Sequence, residues 1–150
     1  MGLFSTANEL INSSEKKYSI LFRNQENVKF VLDAMFGSTN EVFGTSYKSR
    51  IEDKKYQFAG KTGTAQVKRI TERARELDLK TEQIPYEDRD HALYIAYGPY
   101  KNPRYAVSII IEHGGSGSST AAPIAKKLFK LLIDRHEIRE KIKQKEFQTI

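Results

Sequence analysis

The sequence predicts a mixed α/β chain of the α+β kind: an antiparallel three-stranded sheet with one helix before it and a long helix after it. Three observations carry this. Two β-rich runs, 91–97 and 105–112, flank the short turn Gly98-Pro99-Tyr100-Lys101-Asn102-Pro103, and so short a link joins antiparallel neighbours. Val28, Val31, Leu32 and Met35 recur at helical spacing upstream. Downstream, a glycine- and serine-rich loop opens onto a second run of apolar residues at helical spacing.

The 150 residues suffice for one domain of ordinary size. Apolar residues make up only 39%, but they cluster, so a core can form. No cysteine is present, which excludes a disulfide framework and a thiolate metal site. The net charge of +6 combines 25 basic with 19 acidic groups, and no run resembles a nucleic-acid arm. No window approaches the roughly 18 apolar residues of a spanning helix, and residues 1–10 have no signal-peptide pattern. Taken alone, the chain reads as soluble.

In chain order, 1–24 stay unassigned, with Ile20, Leu21 and Phe22 able to form a short strand. A helix is expected over 25–36, stopped by Gly37, with loop at Ser38-Thr39-Asn40 and Gly44-Thr45-Ser46. A strand is expected over 56–67. Residues 68–90 read as a long charged connection, with a short helix possible over 70–79. In the strand 91–97, Leu93, Ile95 and Tyr97 line one face and Ala92, Tyr94 and Ala96 the other. The strand 105–112 is apolar on both faces, which predicts a central, covered position. The last helix begins at Ser119–Ala122, with Pro123 in its first turn. Its buried face is expected to hold Ala121, Ala125, Leu128 and Leu132, flanked by Ile124 and Leu131. From 136 onward the charges alternate, as in a solvated tail.

The chemically sharpest stretch is Phe58-Ala59-Gly60-Lys61-Thr62-Gly63-Thr64-Ala65-Gln66. On an edge strand, Gly63 lets another backbone approach closely, and free backbone groups can pair with a peptide. Thr62 and Thr64 share a face. Their hydroxyls, with the Lys61 ammonium, form a set suited to a terminal carboxylate.

This stretch contains the Lys-Thr-Gly signature of serine acyl-transferases that act on penicillin and related substrates. Asp90-His91-Ala92-Leu93-Tyr94-Ile95-Ala96-Tyr97-Gly98-Pro99-Tyr100 resembles the next strand of that family. Tyr105-Ala106-Val107-Ser108-Ile109-Ile110-Ile111-Glu112-His113-Gly114-Gly115 resembles its last strand and the loop beyond. The resemblance covers about 25–135 and is closest to the elongation-type, class B penicillin-binding protein transpeptidase domain.

The resemblance implies a partial penicillin-binding/β-lactamase-like fold, with 1–150 the C-terminal portion of one domain. It implies a D,D-transpeptidase of peptidoglycan whose serine is acylated by stem peptides ending in D-Ala-D-Ala, and which β-lactams inhibit. Lys61 and Thr64 take the catalytic positions, the backbone N–H of Thr64 serving the oxyanion hole. Lys61, Thr62, Gly63 and Thr64 bind substrate. No metal or organic cofactor is implied. The parent enzyme would be held in the cytoplasmic membrane, act outside it and work with cell-wall elongation proteins. Its sheet would have two further strands, from earlier sequence, beside 105–112. Without them an open strand edge is expected to favour self-association. The alternative reading is a non-catalytic interaction module of an elongation assembly.

The family also needs a Ser-x-x-Lys nucleophile and a Ser-x-Asn. Ser13-Ser14-Glu15-Lys16, Ser14 to Lys17 and Ser38-Thr39-Asn40 fit these patterns, and all read as chance matches. Ser14 lies only 47 residues before Lys61 and is followed by Glu15-Lys16-Lys17, not by an apolar helix; Ser38 lies 23 before it. The chain is therefore expected to lack the nucleophile and to be inactive alone. Gly60-Lys61-Thr62 echoes a P-loop, but Lys55 stands where that loop needs glycine. Residues 114–119 read as a linker in preference to a phosphate cradle. His91 and His113 read as separate and as no metal site. The charged stretch 134–147 reads as a solvated helix face in preference to a surface for an acidic partner or membrane.

Overall fold

The computed structural model describes residues 24–68 and 81–148. Its elements are α1 (Gln25–Asn40), β1 (Ala59–Ala65), β2 (His91–Gly98), β3 (Tyr105–Ile111) and α2 (Ala122–Gln148). The strands form one antiparallel sheet in the order β1-β2-β3. The expected short strand at 20–22, the Ser13/Ser14 patterns and the expected helix over 70–79 fall outside the described residues.

Asn24 caps α1, its side chain accepting from the Glu26 N–H, with Glu26 placed favourably in the first turn. The helix runs through Gly37, so the expected stop is corrected: Ser38, Thr39 and Asn40 form its last turn. Those three residues are held there by bonds to neighbouring elements, which outweigh the glycine's weak helix propensity. The expected apolar stripe is not what docks this helix. Val31 is 55% exposed, whereas Thr39 is fully buried. Tyr97 donates its hydroxyl to Leu32 O, Tyr100 donates to Asp33, and the Phe36 and Tyr100 rings lie 4.1 Å apart.

The strands are shorter than expected at 56–67 and 105–112. Within the described residues β3 is an edge strand, not a covered central one, and its side chains alternate between half-buried and exposed. One sheet face carries Ala92, Tyr94 and Ala96, all buried as the alternation predicts. Against it pack Ala121 and four α2 residues: Ala122, Ala125, Phe129 and Ile133. The expected helix face is thus displaced: Ile124 and Leu131 are exposed, and Phe129 occupies the centre. Alanines on both partners bring the helix close enough for the Phe58 and Phe129 rings to stack at 4.9 Å. Tyr94 meets Phe58 edge-on at 6.5 Å.

The far end is tied by Lys55, which reaches Glu137 at 2.8 Å and Asp134 at 3.4 Å. The Glu137 carboxylate holds the Lys55 ammonium above the ordinary lysine range, while the Tyr56 hydroxyl, ahead of Lys55, holds the Asp134 carboxyl below the carboxylate range. Beyond 134 the helix continues with mostly exposed residues, as expected of a solvated face.

Burial raises the phenols of both Tyr94 and Tyr97, the latter to about 12. Unfolded tyrosine titrates near ~10, so the native state holds these protons more tightly than the unfolded chain. Their contribution is intact below pH ~10 and is lost as pH rises through the native values. Melting followed by circular dichroism should therefore show a Tm insensitive to this effect up to about pH 10 and falling above it. Tyr94→Phe should flatten that alkaline fall while costing about 1–2 kcal/mol at neutral pH through its lost hydrogen bonds. An unchanged alkaline limb would contradict the assignment.

Candidate active site

The outer side of β1 is built around Gly60. A Cβ there would run into the Tyr94 ring, so glycine is required for close approach. Gly60 N–H donates to Thr39 Oγ1 at 2.9 Å, and the same hydroxyl lies 3.3 Å from Gly60 O. Tyr94 OH and Ser46 Oγ complete this buried cluster, at 3.0 and 3.3 Å from Thr39 Oγ1. Asn40 Nδ2 donates to Phe36 O and Phe58 O. The Ser-x-Asn-like tripeptide thus spends its Thr and Asn on anchoring β1.

Since Gly60 turns its backbone groups away from β2, strand alternation turns those of Thr62 and Thr64 the same way. The register from Ala59↔Tyr97 to Ala65↔His91 is continuous, so no bulge interrupts the alternation. The Lys61 ammonium folds over this border to Thr62 O at 2.8 Å. No described residue pairs with the Thr64 N–H.

The structure brings together all four residues singled out in the sequence, and adds one that was missed. Thr62 and Thr64 share a face as expected, opposite Tyr94 and Ala92. Lys61 stems from the other face, yet its Nζ comes within 3.5 Å of Thr62 Oγ1. Gly63, between them, would place a Cβ 3.3 Å from that of Leu93. The missed residue is Thr45: its hydroxyl lies 3.2 Å from Thr62 Oγ1 and 3.1 Å from Ser38 Oγ. The only sequence signal was a crowding of small hydroxyls at 38–46. Chemically, the border offers an ammonium, a row of hydroxyls and an outward N–H: a receptor for an extended peptide with an anionic end.

Residues 9–130 match the family model for the penicillin binding protein transpeptidase domain. The chain belongs to that family.

Penicillin-binding protein relatives match at useful identity. The chain is 41% identical over 104 residues to the peptidoglycan D,D-transpeptidase MrdA of Salmonella typhimurium, covering 69% of this chain and 16% of that protein. For MrdA of Haemophilus influenzae the figures are 39% over 101 residues, 67% and 15%. Two solved structures of penicillin-binding proteins superpose with a TM-score of 0.58. One is PBP2 of Helicobacter pylori in complex with MreC, at 30% identity, covering 73% of this chain and 17% of that one. The other is PBP2 of Pseudomonas aeruginosa in complex with WCK 5153, at 31%, covering 77% and 21%. The chain therefore spans a small part of these relatives' length.

Two other sequence features resolve within this penicillin-binding protein fold. The loop after β3 spends its polar groups on itself and on the residue before β2: Gly115 N–H donates to Asp90 O, and Thr120 Oγ1 donates to Gly114 O at 2.8 Å. Gly115 has φ 79°, a conformation that favours glycine. Gly117 opens a π-helical turn (Gly117–Ala121) pressed against the β1–β2 ladder. The expectation that His91 and His113 are separate is corrected, because the hairpin register brings them together. His113 N–H donates to His91 Nδ1 at 2.9 Å, and the rings lie 4.9 Å apart. His113 Nδ1 bonds Arg89 O. Among the described residues no group of three His, Asp or Glu could hold a metal ion, and no helix is long and apolar enough to cross a membrane.

Proposed function

We propose that this chain is the C-terminal part of a peptidoglycan D,D-transpeptidase, supplying the substrate-binding border of its active site. The outward-facing backbone of β1 at Thr62 and Thr64, with the Lys61 ammonium folded over it, carries this reading. A stem peptide ending in D-Ala-D-Ala lies along that border as an added strand, its terminal carboxylate on Lys61 and the hydroxyls of Thr62 and Thr64. A serine from sequence outside this chain attacks the penultimate carbonyl. The Thr64 N–H and that serine's own N–H stabilise the tetrahedral oxyanion, where one missing donor costs on the order of 10²–10³ in rate. The terminal D-Ala leaves, and an amine of a neighbouring stem peptide displaces the serine to form the cross-link. β-Lactams acylate the same serine. The parent protein is held in the cytoplasmic membrane, acts on its outer side and works with elongation proteins such as the MreC bound to the Helicobacter PBP2.

On this reading the chain has no nucleophile of its own and turns over nothing alone. The spacing of the serine patterns supports this. So does the anchoring role of Thr39 and Asn40, which occupies the Ser-x-Asn-like turn with structural bonds. The test extends the chain with its upstream coding sequence and follows covalent labelling by a fluorescent penicillin. The extended protein should be labelled, Lys61→Ala should suppress labelling without unfolding it, and the 150-residue chain should stay unlabelled. Labelling of the short chain would overturn its inactivity. A folded, extended protein that never labels would favour the non-catalytic interaction module.

A further inference from the structure

Three hydroxyls run in a chain toward the carboxylate-binding border, and two of them lie outside β1. Ser38 Oγ stands 3.1 Å from Thr45 Oγ1, which stands 3.2 Å from Thr62 Oγ1. A hydroxyl donates one proton and accepts at two lone pairs, so the distances alone leave the direction of the chain open. The groups at its β1 end settle it. The Lys61 ammonium, 3.5 Å from Thr62 Oγ1, can only donate, and a carboxylate can only accept. With an anion on the border, Thr62 turns its proton outward. The bond behind it then requires Thr45 to donate to Thr62, and the next requires Ser38 to donate to Thr45.

Thr45 is firmly placed although its side chain is exposed. Before it, Gly44 presses against the last turn of α1: a Cβ there would run into Ser38 O and Gly37 O. After it, Ser46 is buried, and both its N–H and its hydroxyl donate to Ser38 O at 3.0 Å. Ser46 Oγ also meets Tyr94 OH at 3.1 Å. The backbone is thus clamped on both sides of Thr45, by contacts that do not involve its own side chain. The Thr45 hydroxyl adds little to the packing and is aimed at Thr62, which suits it to orienting that residue.

We propose that Thr45 is a positioning residue for the reaction: backed by Ser38, it fixes the Thr62 hydroxyl with its proton directed at the substrate's terminal carboxylate. This rests on the transpeptidase reading of the border and deepens it. An isolated Thr62 hydroxyl is free to rotate. Receiving a proton from Thr45 holds it in the one orientation that donates outward. Donation along a chain also polarises each member and strengthens the last bond. The gain is largest for an ionised acceptor, so the relay favours a ligand with a free carboxylate over the same ligand with that group neutralised.

The test uses the protein extended with its upstream coding sequence and reads the second-order rate constant of acylation by a fluorescent penicillin. Thr45→Val keeps the shape and removes the hydroxyl. It should lower the rate constant about tenfold, the effect of one hydrogen bond to a charged group. Thr45→Ser keeps the hydroxyl and should stay close to the parental rate. Ser38→Ala should cost less, about threefold, because it removes only the polarising bond behind Thr45. In a Thr62→Val background Thr45→Val should add no further loss, since the relay then has nothing to orient. Penicillin methyl ester, followed by its block of later labelling, should acylate Thr45→Val and the parental protein at similar rates. Urea midpoints of the two should coincide, because the side chain is exposed. With the parental protein labelled, any of three results overturns this inference alone: an unchanged rate in Thr45→Val, no recovery in Thr45→Ser, or an equal loss in the Thr62→Val background or toward the ester. A folded extended protein that never labels overturns the transpeptidase reading and this inference with it.

Discussion

Phe129→Ala should lower the free energy of unfolding by about 3–5 kcal/mol, as read from urea titration of the 150-residue chain. The ring is fully buried and stacks on Phe58, and its edge sits 2.9 Å from where a Cβ on Gly98 would be. Removing it leaves a void that the surroundings fill poorly. Ala92 and Ala96 on the sheet, with Ala122 and Ala125 on the helix, have no side-chain reach to move into it. Incomplete collapse puts the cost at the upper part of the range for large-to-small changes. A domain holds only about 5–15 kcal/mol in all, so the variant should lose a large share of its stability, with α2 the first element to detach. Leu131→Ala is the control: on the same helix but 53% exposed, it should stay within about 0.5 kcal/mol of the parent. A Phe129→Ala cost below about 1 kcal/mol would mean that the helix does not dock as described.

That control also shows where sequence reading stops. The two later strands and their turn were legible because the period-two alternation of 91–97, the short apolar run of 105–112 and the Gly/Pro punctuation between them are local signals. The face of α2 was not. Ile124, Leu128, Phe129, Leu131, Leu132 and Ile133 spread over more than half of the helix circumference, so periodicity alone does not select the inner side. The selection is made by Ala122 and Ala125, whose small size permits close approach to the alanines of β2. In α1 the apolar stripe was legible and misleading. What docks that helix is the Thr39 hydroxyl on Gly60 and the Asn40 amide on Phe58 O, contacts that hydrophobicity does not register. The site divides the same way. Lys61, Thr62, Gly63 and Thr64 are contiguous and could be read directly, while Thr45 reaches Thr62 only through the fold. The hydroxyl-rich residues 38–46 read as turn-formers because, in isolation, such residues are.

Gly117→Ala should disturb the site more than it disturbs the fold. A Cβ at this position would lie 2.5 Å from Leu93 O, 2.6 Å from Gly63 O and 3.1 Å from Gly63 N. All three are backbone atoms, so no flexible side chain can swing aside. The turn cannot easily lift away, because Ala121 and Ala122 behind it are fully buried and the Thr120 N–H holds Ser116 O. The ladder must then give way at Gly63↔Leu93, the register pair between Thr62 and Thr64. Overpacking of this kind costs about 1–3 kcal/mol, which leaves the chain folded. A displacement of about 1 Å at a catalytic border can cost on the order of 10²-fold in rate. In the extended protein, penicillin acylation should fall by that order, while the urea midpoint moves modestly. Gly37→Ala supplies the contrast. Its Cβ would meet only the mobile end of the Glu41 side chain, and the residue lies inside α1. The same change there should be neutral or stabilising by about 0.5–1 kcal/mol. Acylation at the parental rate in Gly117→Ala would show that the π-helical turn does not set the position of the border, and that β1 holds Thr64 in place through Gly60 and Thr39 alone.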